Sequence, residues 1–237
     1  MEDATTLEIR VRPCTTEAAV SSQVVSIPRT RMKVHILPDS GDSTGISRHN
    51  KSANERQNDM HSPEIPAKAQ AILDVLNGLG LGTTVHHHDP VFTVEEARAL
   101  RGEIPGGHSK NLFLKDRKDN IFLVSAMEDA TIDLKSIHQS ISAKGRVSFG
   151  SPQLLDEILG VKPGAVSPLG LINDTGKRCA VVLDKAFFDH ERMNFHPLDN
   201  SMTISIAPGD LLRFLQHTGH EPIVLEFSIS GPSNGFI

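Results

Sequence analysis

Three neighbouring residues with chemically useful side chains, Ser109, Lys110 and Asn111, follow a glycine-rich segment at residues 102–108. They place a hydroxyl, an ammonium and an amide side by side at the start of an apolar run. The segment is not a P-loop, because that loop needs Lys directly after its last Gly and runs from a strand into a helix. Here His108 follows the last Gly, and the segment leads from a predicted helix into a predicted strand. Nucleoside triphosphate binding is therefore rejected, and a lone Lys at such a position is most often a surface residue.

Three consecutive histidines and an aspartate at residues 86–89 raise the question of a metal site. On a strand, His86 and His88 share one face, but a zinc site also needs a third protein ligand and groups that orient the ligands. No motif elsewhere in the chain supplies partners at ligand spacing. We therefore favour an exposed strand end, and we expect neither a metal nor another cofactor.

His196 lies in a polar segment, residues 194–200, and is a candidate because imidazole titrates near neutral pH. Together with Ser109 and Asp199 it suggests a Ser-His-Asp set, but no GxSxG nucleophile motif is present. A nucleophilic serine is therefore disfavoured. A Gly-x-x-x-Pro turn at residues 164–168 is either a rigid connection or a loop whose backbone groups contact a ligand.

Composition limits the classes of function. The chain has 237 residues, of which 38% are apolar, and a net charge of -5. No run approaches the ~18 apolar residues of a spanning helix, and the net charge argues against a protein that coats DNA or RNA. Two cysteines, Cys14 and Cys179, cannot supply a disulfide framework. With an acidic start to the chain in place of a signal peptide, these features predict a cytoplasmic protein.

The elements that must position these residues are short and mixed. Helical spacing or capping predicts helices at residues 66–79, 93–102, 133–143, 151–159 and 208–218. Apolar runs predict strands at residues 83–88, 111–114, 121–126, 169–172, 179–183, 202–206 and 223–227. Polar turns at residues 115–120 and 173–176 predict two hairpins. The pattern indicates an α+β domain with a mixed, mostly antiparallel sheet.

The first 60 residues differ from the rest. They contain only two leucines, Leu7 and Leu37, and equal numbers of acidic and basic residues. Residues 38–62 form a polar tract with little to bury, for which disorder is expected. We therefore predict a poorly structured extension at residues 1–60 and one folded domain at residues 61–237.

Several ordered motifs resemble a known family. They are found at residues 91–97, 107–116, 159–168, 171–174, 181–184, 194–198, 210–215 and 219–222, and together they extend over roughly residues 64–227. This series is similar to the YbaK/prolyl-tRNA-synthetase-associated domain family, and within it to the free-standing deacylases that hydrolyse Ala-tRNA(Pro). Ser109 stands where that family often has Thr, which keeps the hydroxyl.

The resemblance implies a compact YbaK-like domain with a barrel-like mixed sheet and surrounding helices. It also implies hydrolysis of the ester that joins a wrong amino acid to tRNA, with Lys110 as the essential lysine and His196 as the pocket histidine. The residues expected to contact the substrate are Ser109, Asn111, Gly164, Ala165, Val166, Ser167 and Pro168. The expected partners are the 3′ acceptor end of tRNA(Pro), with Lys115, Arg117 and Lys118 as contacts, and prolyl-tRNA synthetase, but neither DNA nor a membrane.

Two alternatives remain open at this point. One is a tRNA- or synthetase-binding module that keeps the fold without activity, which retention of Lys110, the 164–168 turn and His196 disfavours. The other is a deacylase for another small product, charged with Cys or Ser. Neither a general base nor an oligomeric state follows from the sequence.

Overall fold

The computed structural model describes residues 8–13, 23–26, 65–90 and 104–229. Within these ranges there are four α-helices: α1 (Ala67–Gly78), α2 (Ile137–Ser140), α3 (Pro152–Leu159) and α4 (Pro208–His217). Two 3₁₀ helices lie at Pro168–Ile172 and Lys185–Asp189. The helix predicted at residues 93–102 and the polar tract at residues 38–62 lie outside the described residues.

Twelve strands are described in the same ranges. They are β1 (Glu8–Pro13), β2 (Gln23–Ser26), β3 (Thr83–His87), β4 (Gly107–Lys115), β5 (Ile121–Met127), β6 (Ala130–Thr131), β7 (Ser148–Phe149), β8 (Cys179–Asp184), β9 (Met193–Phe195), β10 (Met202–Ile206), β11 (Ile223–Glu226) and β12 (Ser228–Ile229). Of the predicted extension, only β1 and β2 are described, so the boundary at residue 60 stays a prediction.

Most of the strands form one mixed sheet. Its order is β2-β1-β11-β8-β5-β4-β9-β10-β3, with β7 paired to β4, while β6 and β12 form a separate pair. Among the described strands, β8 is parallel to both β5 and β11, and β4 is parallel to β9, whereas the β4–β5 and β9–β10–β3 pairings are antiparallel. The mixed α+β architecture is confirmed, and the sheet is open, since its end strands β2 and β3 are not paired with each other in the described part of the chain.

Each face of the sheet covers a different core. Ile121 and Leu123 of β5 join the main core with α1, α3 and α4, whereas Phe122 and Val124 join a second cluster that includes Ile137 of α2. This follows from the alternation of side chains along a strand. We call these two sides the first face and the second face.

Local chemistry explains where the helices begin and end. The Ser151 hydroxyl accepts the Leu154 N–H at 3.2 Å, and Gly160 ends α3 with a φ of 66°. The predicted helix at 133–143 is shorter than expected. Asp133 accepts hydrogen bonds from the Lys135 N–H and the Ser136 hydroxyl, which hold a turn before α2. After α2, Ser142 adopts a φ of 61°, which a helix cannot continue through.

The hairpin predicted for residues 169–172 and 179–183 is wrong. Residues 168–172 form a 3₁₀ helix, because Pro168 cannot donate to a strand ladder and the buried Ser167 hydroxyl accepts the Leu169 N–H at 3.2 Å. Strand β8 pairs with β5 and β11, which are distant in sequence. The polar loop expected around Asn194 is also wrong, since Met193–Phe195 is a buried strand.

Candidate active site on the second face

The second face has a polar part where β3, β10 and β9 meet the start of β4. Met202, Ile204 and Ile206 of β10 belong to the main core, so the alternate residues Thr203 and Ser205 face the other way. The polar side chains that meet there are His86, His88, His108, Asn194, Thr203 and Ser205. We call this group the polar cluster.

A chain of hydrogen bonds fixes the polar cluster to the glycine-rich turn. The Ser205 hydroxyl donates to Asn194 Oδ1 at 2.5 Å, so it accepts from Nε2 of His86 at 3.2 Å. Asn194 Nδ2 then donates to the Pro105 carbonyl at 3.1 Å. The turn before β4 is thereby tied to β9 and β10. The sequence analysis did not single out Asn194 and Ser205, and only strand alternation on an unrecognised β9 could have found them.

Lys110 lies on β4, half-buried, opposite Ala126 of β5. Its neighbours Leu112 and Leu114 pack in the second cluster, so Lys110 is on the second face. The ammonium donates to the carbonyl of Ala130. That carbonyl follows a turn held by Asp184, whose buried carboxylate accepts the Met127 N–H at 3.0 Å. Burial raises the pKa of Asp184, and its backbone hydrogen bonds oppose this.

His196 follows β9 and reaches the same face. Its Nδ1 lies 2.8 Å from the Met202 carbonyl. Since a carbonyl only accepts, Nδ1 carries the proton and Nε2 keeps its lone pair in the neutral ring. Burial lowers the pKa of His196, the bond to Met202 opposes this, and nearby His88 lowers it further. The neutral imidazole, with Nε2 as an acceptor, is therefore the favoured form near pH 7.

The register of β4 and β9 brings Lys110 and His196 to the same level. Gly107 pairs with Met193 and His108 with Asn194, in parallel. The Ser109 hydroxyl continues this contact by donating to the Asn194 carbonyl at 3.2 Å. Lys110 comes two residues after His108 and His196 two residues after Asn194, so both lie at this end of the polar cluster.

His88 is a site residue that the sequence analysis missed. The ring centroids of His88 and His196 are 6.0 Å apart in an edge-to-face arrangement. Its Nδ1 donates to the Asp89 carbonyl at 2.9 Å, so Nε2 accepts from the Thr203 hydroxyl at 3.0 Å. The interpretation of residues 86–89 as an exposed strand end is thus wrong for His86 and His88, which are half-buried, and fits His87, which is exposed.

Ser109 and Asn111 point away from Lys110. Phe113 of the same strand belongs to the main core, and alternation places Ser109 and Asn111 with it on the first face. Asn111 Nδ2 lies 3.5 Å from the Ser109 hydroxyl, whereas the buried Oδ1 has no hydrogen-bond partner among the described residues. Ser125 lies directly opposite Asn111 on β5, and its buried hydroxyl also has no hydrogen-bond partner among the described residues. An amide oxygen that accepts and a hydroxyl that can donate or accept are therefore without partners there in the described part of the chain, and a water or a ligand can bind both.

The 164–168 loop is ordered and connects to His196. Gly164 has a φ of 98°, which favours glycine, and Ala165, Ser167 and Pro168 are buried. The 3₁₀ helix that follows contacts the turn after His196, since a Cβ on Gly170 would lie 3.3 Å from Leu198 Cδ2. The 3₁₀ helix and Leu198 thus meet in the main core, against which Val166 of the loop also packs, whereas Lys110 lies on the second face.

The predicted tRNA contacts lie at the far end of the β4–β5 hairpin. Lys115 forms an ion pair with Asp119 at 3.1 Å, and Arg117 and Lys118 are exposed in the turn. At ~3.3 Å per residue, Lys115 is ~17 Å from Lys110 along the strand. The two groups are therefore separate surfaces and do not form one basic cluster.

Asp116 holds this turn in place. Its carboxylate accepts the Lys118, Asn120 and Lys144 backbone N–H groups, and the Asn120 side-chain amide. Burial acts to raise the pKa of Asp116, but the Asn120 amide and the three backbone donors outweigh it and lower this pKa to about 2. The carboxylate is thus ionised at neutral pH and ties the segment around Lys144 to the hairpin.

Metal binding and membrane insertion both have a bearing on the function. In the described ranges no three His, Cys, Asp or Glu side chains group so that they could hold a metal ion. No helix in the same ranges has the length and hydropathy needed to cross a membrane.

Comparison with known proteins gives consistent matches. The profile of the aminoacyl-tRNA editing domain matches residues 88–214. Prolyl-tRNA synthetase associated domain-containing protein 1 of Mus musculus is 39% identical over 156 residues, covering 64% of this chain and 92% of that protein. Prolyl-tRNA editing protein ProX of Acetoanaerobium sticklandii is 36% identical over 152 residues, again covering 64% and 92%.

A solved structure supports the fold. The crystal structure of a candidate trans-editing enzyme for prolyl-tRNA synthetase superposes with a TM-score of 0.54 at 19% identity, covering 71% of this chain and all of that one, 100%. The resemblance to this family that the sequence motifs indicated is therefore confirmed. The residues that match the editing-domain profile include β4, β9 and the 164–168 loop.

Proposed function

Because this chain belongs to the aminoacyl-tRNA editing domain family, a family of aminoacyl-tRNA hydrolases, we propose that it hydrolyses mischarged Ala-tRNA(Pro) in trans. The enzyme class follows from the family and from the ProX relative, and the alanyl substrate is the proposal. The observation that carries it is the placement of Lys110 and His196 at one level of the second face by the β4–β9 register.

The two side chains supply complementary chemistry for an ester. Water attacks the carbonyl carbon, the bond to the ribose oxygen breaks, and the amino acid leaves while the ribose hydroxyl is restored. The Lys110 ammonium stabilises the negative charge that develops on the carbonyl oxygen, or holds the terminal phosphate. Nε2 of His196 accepts a proton from the attacking water, directly or through the ribose 2′-hydroxyl. An activated ester needs no further group beyond this positioning.

Size explains the choice of alanine. A synthetase site shaped for proline cannot strongly reject a smaller amino acid, since each missing methylene is worth only ~1–3 kcal/mol. A second site that admits only small side chains corrects the error. The 3₁₀ helix that follows the 164–168 loop lies against the turn after His196, and the loop is the segment that we propose limits the size of the site. Ser109 contributes by fixing β4 against β9, and Asn111 Oδ1 remains available to a donor.

The expected partner is the 3′ acceptor end of tRNA(Pro), with Lys115, Arg117 and Lys118 as phosphate contacts. Association with prolyl-tRNA synthetase belongs to the same proposal, supported by the name of the Mus musculus relative, and action in the cytoplasm is proposed with it.

The test is single-turnover hydrolysis of tRNA(Pro) charged with Ala, Cys, Ser or Pro by the full chain. We expect rapid release of alanine and no release of proline. Release of Cys or Ser in preference to alanine would keep the chemistry and replace the substrate. Tight tRNA binding without release of any amino acid would show a non-catalytic binding module.

A further inference from the structure

Phe149 is an exposed aromatic side chain without an evident structural role. It is 61% exposed, whereas the other large hydrophobic side chains in the described ranges are at least partly buried. It belongs to the short strand β7, which pairs with Leu114 and Lys115 at the end of β4. Burial of such a side chain is favourable, so a partner that covers it gains binding free energy.

The register of β7 places Phe149 on the same face as Lys110. Phe149 is directly opposite Leu114, and directly opposed residues of an antiparallel pair share a face. Leu114 is four residues from Lys110 on one strand, so the two share the second face as well. At ~3.3 Å per residue, Phe149 lies ~13 Å from Lys110 along β4.

Beyond Phe149 lies a group of exposed basic side chains, which we call the tip patch. Its members are Arg117, Lys118, Lys144 and Arg146. Asp116 holds the two segments together by accepting the Lys144 N–H at 2.7 Å, and a Cβ on Gly145 would lie 3.4 Å from Arg117 Cδ. None of the four forms an ion pair within the described ranges.

We infer that Phe149 and the tip patch bind the acceptor arm of the substrate tRNA, with the unpaired base that precedes the terminal CCA stacked on Phe149 and the phosphates held by the tip patch. This deepens the proposed function and rests on its placement of the 3′ end at Lys110. A stacked strand rises ~3.4 Å per nucleotide, so Phe149 lies about four nucleotides from the ester.

Two physical arguments favour RNA over a protein as the occupant. The patch is basic in a chain of net charge -5, which matches a phosphate backbone better than an average protein surface. An aromatic ring beside basic side chains is also the combination by which proteins hold unpaired bases, one by stacking and the other by charge. A protein partner remains an outcome of the test.

The experiment compares a long and a short substrate for the full chain. Phe149→Ala and the double variant Arg117→Ala/Arg146→Ala are assayed with Ala-tRNA(Pro) and with an alanylated CCA trinucleotide, which is too short to reach Phe149. We expect each variant to lower kcat/KM about tenfold for the tRNA and less than twofold for the trinucleotide. Phe149→Trp should restore tRNA hydrolysis, and Arg213→Ala, which removes a charge from α4, should change neither substrate.

Binding of uncharged tRNA, measured by fluorescence anisotropy against salt, separates this inference from the proposed function because it needs no hydrolysis. The double variant should weaken binding and reduce the salt dependence by about two phosphate contacts. Wild-type tRNA affinity in both variants would overturn the inference and leave a protein as the partner of Phe149. Equal losses on tRNA and trinucleotide would also overturn it, since the effect would then arise at the site around Lys110.

Discussion

The imidazole rings of His88 and His196 meet edge to face, with their centroids 6.0 Å apart, at the end of the polar cluster. One ring follows β9 and the other follows β3, two strands that do not pair directly but both pair with β10. Each histidine uses Nδ1 to donate to a backbone carbonyl, so each presents Nε2 as an acceptor. His88 thus limits how His196 can turn and influences its charge.

The first prediction concerns pH. In the proposed mechanism His196 acts as a neutral base, so activity should fall as pH drops through its pKa. Because burial and His88 lower the pKa of His196, the acid limb of kcat/KM should lie below pH 6.5. The His88→Gln substitution removes one of the causes that lower the pKa of His196, so the acid limb of kcat/KM should move to higher pH. The shift is measured on one substrate, so titration of the substrate amine affects both enzymes equally and cancels.

His196→Gln should reduce kcat by about 10²–10⁴. An acid limb that stays at the same pH in His88→Gln would contradict the influence of His88 on His196.

The second prediction separates two lysines of β4. Lys110→Ala should lower kcat/KM by at least about 10²–10³, the loss expected for one donor to a developing oxyanion. Lys115→Ala should cost less than about fivefold and should reduce the salt dependence, since an exposed lysine steers phosphates. Its ion pair with Asp119 is exposed and is worth about 0.2–1 kcal/mol at most.

Unfolding curves for both variants should match the wild-type curve. Lys135→Ala, an exposed lysine before α2, is the control for loss of charge. If Lys115→Ala proves more damaging than Lys110→Ala, the assignment of the site is wrong.

Local signals in the sequence were sufficient for part of this fold. The β4–β5 hairpin and α3 follow from a polar turn and from Ser151, Pro152 and Gly160, all close in sequence. The pairing of β8 with β5 and β11 could not be predicted, since parallel partners are distant and leave no local turn. Strand β9 was missed because three buried residues are too short a run to show a period.

The site was predicted in the same uneven way. The ordered motifs led to the prediction of Lys110 and His196, which stays a prediction, but residue spacing cannot show that β4 turns Ser109 and Asn111 to the opposite face. That fact depends on register. His88 needed the β3–β10 pairing before its half-buried position was visible.

The third prediction concerns a buried pair away from the site. His220 Nε2 lies 3.2 Å from Asp174 Oδ2, and the two side chains are 3% and 2% exposed. Asp174 also accepts the Arg178 and Cys179 N–H groups, so it joins the end of α4 to the start of β8. His220→Ala should lower the free energy of unfolding by about 1–3 kcal/mol, the cost of removing one hydrogen-bond partner from a buried polar group.

Urea unfolding checks this, with His217→Ala, an exposed residue in the last turn of α4, as the matched control at less than about 0.5 kcal/mol. The hydrolysis rate per folded molecule should not change in either variant. A loss below about 1 kcal/mol in His220→Ala would show that the pair contributes little.

The fourth prediction is that hydrolysis survives exhaustive treatment with EDTA. The ester is activated, and in the proposed mechanism Lys110 supplies the charge stabilisation and His196 the proton acceptor. His86 and His88 are engaged by Ser205 and Thr203, which leaves them poor ligands. Rates before and after chelation should agree within error. Loss of activity that added zinc restores contradicts the mechanism.

The last prediction concerns the rejection of proline by the 164–168 loop. The proline ring adds two methylenes to alanine, and excluding a larger group from a rigid site discriminates more strongly than admitting a smaller one, because overpacking displaces backbone. Gly164 holds the loop with a φ of 98°, a conformation that a residue with a Cβ adopts only under strain. Gly164→Ala should therefore shift the loop, lower the rate on Ala-tRNA(Pro), and lower the ratio of the alanyl to the prolyl hydrolysis rate about tenfold or more.

Gly209→Ala is the matched control, since a Cβ there meets open space within α4, and it should leave both rates unchanged. Single-turnover rates on both substrates decide the matter: if Gly164→Ala slows both equally, the loop supports the reaction without setting its selectivity.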